Sequence, residues 1–168
     1  MPSAERDGTV RVVRALIDRG LTIAVAESLT GGMLTAELTS VPGASAVVLG
    51  GAVVYATELK HSLLGVDAAL LAAEGPVHPK VARQLAAGVR ERLAVDGRPA
   101  DLGVATTGVA GPDPQGGQPV GTVYLGIATA AGARSIALSL SGNREEIRRR
   151  TVAEAVGALA SELGITIV

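Results

Sequence analysis

Between Thr9 and Arg19, Val10, Val13, Leu16 and Ile17 recur at three- and four-residue spacing. That period places them on one face of an amphipathic helix, and Gly20 is the residue that commonly ends one. The next run, "LTIAVA", is almost wholly apolar. It predicts a short strand buried on both faces, as in a sheet covered by helices. From Thr30, "TGGMLTAELTSV" returns to a helical pattern, which "PGAS" closes. "AVVLGGAVVYA" reads as a second strand, whose Gly50 and Gly51 predict a bulge or a close backbone approach. "TELKHSLLGV" predicts a helix capped by Thr57 and ended at Gly65, followed by a short helix beginning at Asp67. Pro79 suits the first position of a longer helix. "DLGVATT" is a third buried strand, and "GVAGPDPQGGQPVG" is a loop by composition. "GTVYLGIATAAGARSIALSL" predicts a hairpin turning at "AAGA", and a long last helix runs from about Arg144 to Leu163.

This order of elements predicts an α/β fold: a single three-layer α/β/α sandwich with a mixed, mostly parallel sheet and a C-terminal hairpin. The 168 residues suit one domain, 1–168, with neither repeat nor linker. A hydrophobic content of 48% against 18% charged residues is that of a soluble globular chain. The net charge of −1 carries no excess that points to nucleic acid or an acidic membrane. No apolar stretch approaches a membrane span, and the N-terminus mixes charge into its apolar pattern, so a cytoplasmic protein is expected. The absence of cysteine excludes disulfides, thiolate metal sites and a cysteine nucleophile. With only His61 and His78, a histidine-rich metal site is excluded as well; neither metal nor cofactor is expected.

One scarcity redirects attention. Lys60 and Lys80 are the only lysines, against 13 arginines. Arginine stays protonated and cannot act as a base, whereas a buried lysine can. Lys60 lies in "YATELK", one turn into a predicted helix and five residues after Tyr55. Burial would depress its pKa and supply a neutral amine able to activate a hydroxyl, with Tyr55 relaying a proton or holding Lys60. The alternative is a solvated lysine beside a core tyrosine.

A hydroxyl is available at "AESLTGG", where a buried strand meets a helix. Backbone N–H groups at such a junction are unpaired and would serve Ser28 as oxyanion donors. Gly31 and Gly32 would admit a ligand close to the backbone. On this stretch alone, a helix cap made by Ser28 or Thr30 is the simpler reading, and the spacing does not match a G-x-S-x-G elbow. "TTGVAGPDPQGGQPVG" follows a buried strand, where α/β proteins bind ligands, but it has no Walker sequence and is equally a surface loop. In "SGNREEIRRRT", Asn143 would cap the last helix. Arg144 in its first turn opposes the helix dipole unless it serves a ligand. The cluster Arg148, Arg149 and Arg150 reads as a solvated face, with Glu145 pairing to Arg149.

Taken together, "AESLTGG", "VPGAS", "GGAVVYATELKHSLLGV", "TTGVAGP", "QPVGTVYLGIA" and "SGNREEIRRRTV" resemble, in the same order, the CinA C-terminal domain family, which includes nicotinamide mononucleotide deamidases. The resemblance runs from about Ala24 to Val152. It implies hydrolysis of nicotinamide mononucleotide to nicotinic acid mononucleotide and ammonia, in pyridine nucleotide recycling, by a metal-free Ser/Lys dyad. By motif, Ser28 is the implied nucleophile, Lys60 its base and Tyr55 a support for Lys60. Ser45 in "PGAS" is the second candidate for the catalytic hydroxyl. Thr30, Gly31 and Gly32 are implied to lie against the substrate, Thr107 and Gly108 to line its pocket, and Arg144 to reach the phosphate. The resemblance also implies a homo-oligomer.

The chain departs from the family pattern at three places. Ala56 and Thr57 stand where many relatives have a small residue and then Asn. Asn143 replaces a common Asp, and Gln118 replaces a common Lys. The last two are expected to weaken phosphate binding. They leave room for another class of function, a non-catalytic nucleotide- or partner-binding module linked to competence or DNA damage. Many relatives carry a larger nucleotide-hydrolysing domain before this one, and its activity is not carried over.

Overall fold

The protein is described by a computed structural model covering residues 3–166. A first helix, α1 (Ser3–Arg19), leads to β1 (Ile23–Glu27), α2 (Met33–Thr39), a 3₁₀ turn (Ala44–Ala46) and β2 (Val48–Val53). Three helices follow: α3 (Thr57–Ser62), α4 (Ala68–Glu74) and α5 (Pro79–Arg92). Then come β3 (Leu102–Gly108), β4 (Thr122–Thr129), β5 (Gly132–Ser139) and α6 (Arg144–Glu162). The strands form one sheet in the order β2-β1-β3-β4-β5. β1 pairs in parallel with β2 and β3, and the hairpin β4–β5 continues the sheet from β3 in antiparallel fashion. This is the mixed α/β arrangement expected.

Apolar patterning explains the layers. β1 is buried at every position, as its apolar run predicts, while β5, an outer edge strand, is exposed or half-buried throughout. On one face, α1, α2 and α6 pack Leu16, Leu34, Leu38, Ile147 and Leu159 over Val25 and Val104. On the other, α4 and α5 pack Leu71, Val81, Leu85 and Val89 over Ala24, Ala26 and Ala105. No helix among the described residues is long and apolar enough to cross a membrane.

Among the described residues, three helices carry a side-chain cap at the N-cap position, and of these the cap by Asn143 is the one expected from the sequence. Asp67 accepts from the Ala69 amide, His78 from that of Lys80, and Asn143 from that of Glu146 in a reciprocal capping box. Thr57 differs: it is the first helical residue, and Ala56 occupies the cap position with no side-chain bond. The register slips by one residue between Ile23 and Ala24, so Leu49 is the extra residue of a bulge beside Gly50. A Cβ on Gly51 would sit 2.1 Å from Thr35 Oγ1, so the glycine lets α2 approach β2 closely.

Candidate active site

β1 delivers Glu27 and Ser28 to the carboxyl end of the sheet. Glu27 is fully buried, and its side chain settles how the chain leaves the strand. Oε2 accepts the Gly32 and Leu34 amides, each at 3.0 Å. Oε1 accepts the Thr35 amide at 2.8 Å and the Thr35 hydroxyl at 2.7 Å. A carboxylate from the preceding strand therefore caps α2, where Ser28 or Thr30 was expected to do so. Gly32, the cap residue by position, takes φ 102°, a left-handed conformation. The helix begins at Met33, three residues later than its hydrophobic pattern suggested.

This cap removes the oxyanion donors expected from the first turn of α2, because Glu27 already holds them. The Ser28 amide is also used, donating to the Thr106 carbonyl at 3.1 Å. Residues 28–31 form a turn in which the Gly31 amide donates to the Ser28 carbonyl at 3.0 Å. The Leu29 and Thr30 amides have no partner among the described residues. These two N–H groups follow the serine directly and are unpaired, as an oxyanion donor must be.

The Ser28 hydroxyl meets Lys60. Nζ and Oγ are 3.2 Å apart, although the residues are 32 positions apart in the chain. Lys60 is 1% exposed. Its other contacts are the Val54 carbonyl at 2.7 Å and the Tyr55 carbonyl at 3.5 Å. Burial lowers its pKa from 10.5 to about 8, against an opposing pull from the Glu58 charge. A neutral amine has two N–H donors and one lone pair. With the two carbonyls receiving the donors, the lone pair is left for the Ser28 proton.

The cleft around this pair is lined by Thr107, Gly108, Asp113, Gln115 and Arg144, together with Leu29 and Tyr55. The Thr107 hydroxyl donates to the Pro76 carbonyl at 2.7 Å and ties the β3 end to the α4–α5 connection. Arg144 spans the mouth, with Nη1 donating to the Gly111 carbonyl at 2.8 Å and Nη2 to the Tyr55 hydroxyl at 3.0 Å. Guanidinium has five N–H donors, so three remain for a ligand anion.

Several sequence-derived roles change. Tyr55 meets Lys60 only through its backbone carbonyl, while its exposed ring reaches Arg144. Ser45 is exposed on the 3₁₀ turn before β2, and it does not line the Ser28 cleft. β2 runs parallel to β1, so that turn and Ser28 lie towards opposite ends of the paired strands. Thr30 is buried against the Thr106 hydroxyl at 2.8 Å, and neither Gly31 nor Gly32 lines the cleft. Asn143 and Gln118 do not line it either. No group of three or more acidic or histidine side chains able to hold a metal ion occurs among the described residues.

Comparison with known proteins agrees with this architecture. The family model for the CinA C-terminal domain matches residues 6–163. The chain belongs to the CinA C-terminal domain family. A CinA-like protein of Frankia casuarinae is 52% identical over 145 residues, covering 86% of this chain and 32% of that protein. A putative competence-damage inducible protein of a Geobacillus species is 49% identical over 142 residues, 84% of this chain and 33% of that protein. The chain thus spans about a third of the length of these CinA relatives. A solved competence/damage inducible protein from Agrobacterium tumefaciens superposes with a TM-score of 0.89 at 33% identity, over 98% of each chain. A CinA superfamily protein from Klebsiella pneumoniae gives a TM-score of 0.87 at 32% identity, over 95% of this chain and 98% of that one.

Within this CinA domain, three contributors escape the sequence. Glu27 ends an apolar run, and nothing local marks it as the cap of a helix six residues on. Thr106 was one of two threonines ending a buried strand. Arg148 belonged to a cluster read as solvated. Arg149 fits that reading, pairing with Glu145 at 3.9 Å on an exposed face. Arg148 instead turns inward, to the carbonyls of Leu29 at 2.8 Å and Thr30 at 3.2 Å.

Proposed function

We propose that this domain hydrolyses the carboxamide of nicotinamide mononucleotide to the carboxylate, releasing ammonia. The observation that carries the reading is the buried Lys60 amine 3.2 Å from Ser28 Oγ. Neutral Lys60 accepts the Ser28 proton as Oγ attacks the carboxamide carbon. The tetrahedral oxyanion is received by the Leu29 and Thr30 amides. Lys60, now ammonium, protonates the amide nitrogen, and the C–N bond breaks to give ammonia and a Ser28 ester. Water then attacks the ester with Lys60 accepting its proton, and that proton returns to Ser28 Oγ as the acid leaves. Arg144, at the cleft mouth with three donors unused, is suited to the 5′-phosphate.

The test is ammonia release from the mononucleotide. Wild-type protein is expected to turn over, while folded Ser28→Ala and Lys60→Met proteins lose at least about 10³-fold in kcat. Wild-type rates in either variant would refute the dyad. The relatives' names, which speak of competence and damage, favour a second reading: a nucleotide- or partner-binding module without turnover. Tight binding of the mononucleotide by wild-type protein with no ammonia release would support that reading instead.

A further inference from the structure

We infer that Arg148 is the positioning residue that holds the oxyanion turn of this site in its working orientation. The inference rests on Ser28 acting as the nucleophile proposed above, and not on which amide it attacks.

A peptide group is planar and trans, so fixing its carbonyl fixes its N–H in the opposite direction. In the turn 28–31, the Ser28 carbonyl is fixed by the Gly31 amide, which orients the Leu29 N–H. The Leu29 carbonyl has no backbone donor among the described residues. Its partner is Arg148 Nε, at 2.8 Å, and this bond orients the Thr30 N–H. Arg148 Nη2 also reaches the Thr30 carbonyl at 3.2 Å, so one rigid fork grips two successive peptide groups. Gly31 takes φ 59°, and a Cβ there would sit 3.3 Å from Arg148 Nη2, so the glycine keeps the approach open.

The source of the arginine matters. Arg148 is one helical turn beyond Arg144, so α6 supplies both the cation at the cleft mouth and the clamp behind the oxyanion amides. The Glu27 cap fixes the far end of the same segment at residues 32–35. Between Ser28 and that cap, Arg148 is the only side chain bound to the backbone carbonyls of Leu29 and Thr30 among the described residues. It hydrogen-bonds to neither Ser28 Oγ nor Lys60, and burial and Glu58 are what shift the Lys60 amine, so its removal should leave the Lys60 titration alone while misaligning the amides. Misplaced or missing oxyanion donors cost about 10²-fold in the chemical step.

The experiment compares wild type, Arg148→Met, Arg148→Lys and Arg150→Met. Arg150 is a control on the same helix, bonded to the Ser141 carbonyl. Two rates are read on folded protein: fluorophosphonate labelling of Ser28 by intact mass, and ammonia release from nicotinamide mononucleotide. Arg148→Met is expected to lose about 10²-fold in labelling rate and in kcat, with KM within about threefold and the rising pH limb unmoved. Arg148→Lys, a single point donor, should fall between Arg148→Met and wild type. Arg150→Met should match wild type. Wild-type rates in Arg148→Met, a loss confined to KM, or a displaced pH limb would each overturn the inference. A wild type that labels on Ser28 but releases no ammonia fails the substrate reading and leaves the Arg148 comparison intact. A wild type inert to both removes the serine chemistry and this inference with it.

Discussion

The burial of Lys60 has a thermodynamic consequence that needs no substrate. Its folded pKa is about 8, against 10.5 for an ordinary lysine. Between those values the unfolded chain binds more protons than the folded one, so stability rises with pH across that window. Below about pH 8 the folded protein carries the full cost of burying an ammonium. A depression of this size corresponds to about 3 kcal/mol at pH 7. By pH 9 roughly 1 kcal/mol of that cost is relieved. Lys60→Met keeps the unbranched chain and removes the titration. It leaves the Val54 carbonyl without this donor, an offset that does not vary with pH. Urea unfolding of both proteins at pH 7 and pH 9 isolates the effect, because every other titrating group is common to the two. Wild type should gain about 1 kcal/mol relative to Lys60→Met on going from pH 7 to pH 9. Parallel pH dependences in the two proteins would refute the claim that folding depresses this amine, and with it the neutral base.

Other consequences are equally concrete. Glu27→Ala leaves three amides and a hydroxyl without their acceptor, and should cost on the order of 4 kcal/mol in denaturant titrations; a loss below about 1 kcal/mol would contradict its role as the cap of α2. Gly51→Ala places a methyl 2.1 Å from Thr35 Oγ1. It should lower stability by about 1–3 kcal/mol, read by thermal unfolding. Arg144→Gln should raise KM for nicotinamide mononucleotide about 10²-fold and leave turnover of the phosphate-free nucleoside unchanged; equal effects on both would place Arg144 away from the phosphate.

The layers, the helix order and the Asn143 cap were legible because they depend on local periodicity and short-range side-chain chemistry. Asp67, His78 and Asn143 each cap a helix within three residues of themselves. The Ser28–Lys60 pair was legible for two other reasons, lysine scarcity and motif order. What escaped depends on distance. Glu27 binds amides five to eight residues ahead, across the turn rather than within it. Arg148 reaches Leu29 across 119 residues, and its two arginine neighbours disguised it as part of a solvated run. Ser45 lies apart from Ser28 for a related reason: its motif is near Ser28 in sequence, but a parallel pairing carries it towards the opposite strand end. Tyr55 lies beside Lys60 through its carbonyl, yet its hydroxyl accepts from Arg144, the first residue of α6, which lines the same cleft.

The most direct test of the Ser28–Lys60 chemistry is a rapid-quench reaction with nicotinamide mononucleotide, followed by peptide mapping by mass. An acyl group should be found on the peptide containing Ser28, formed faster as pH rises through about 8, and absent in Lys60→Met. An acyl group on another residue, or a Ser28 adduct that forms at the wild-type rate without Lys60, would contradict it.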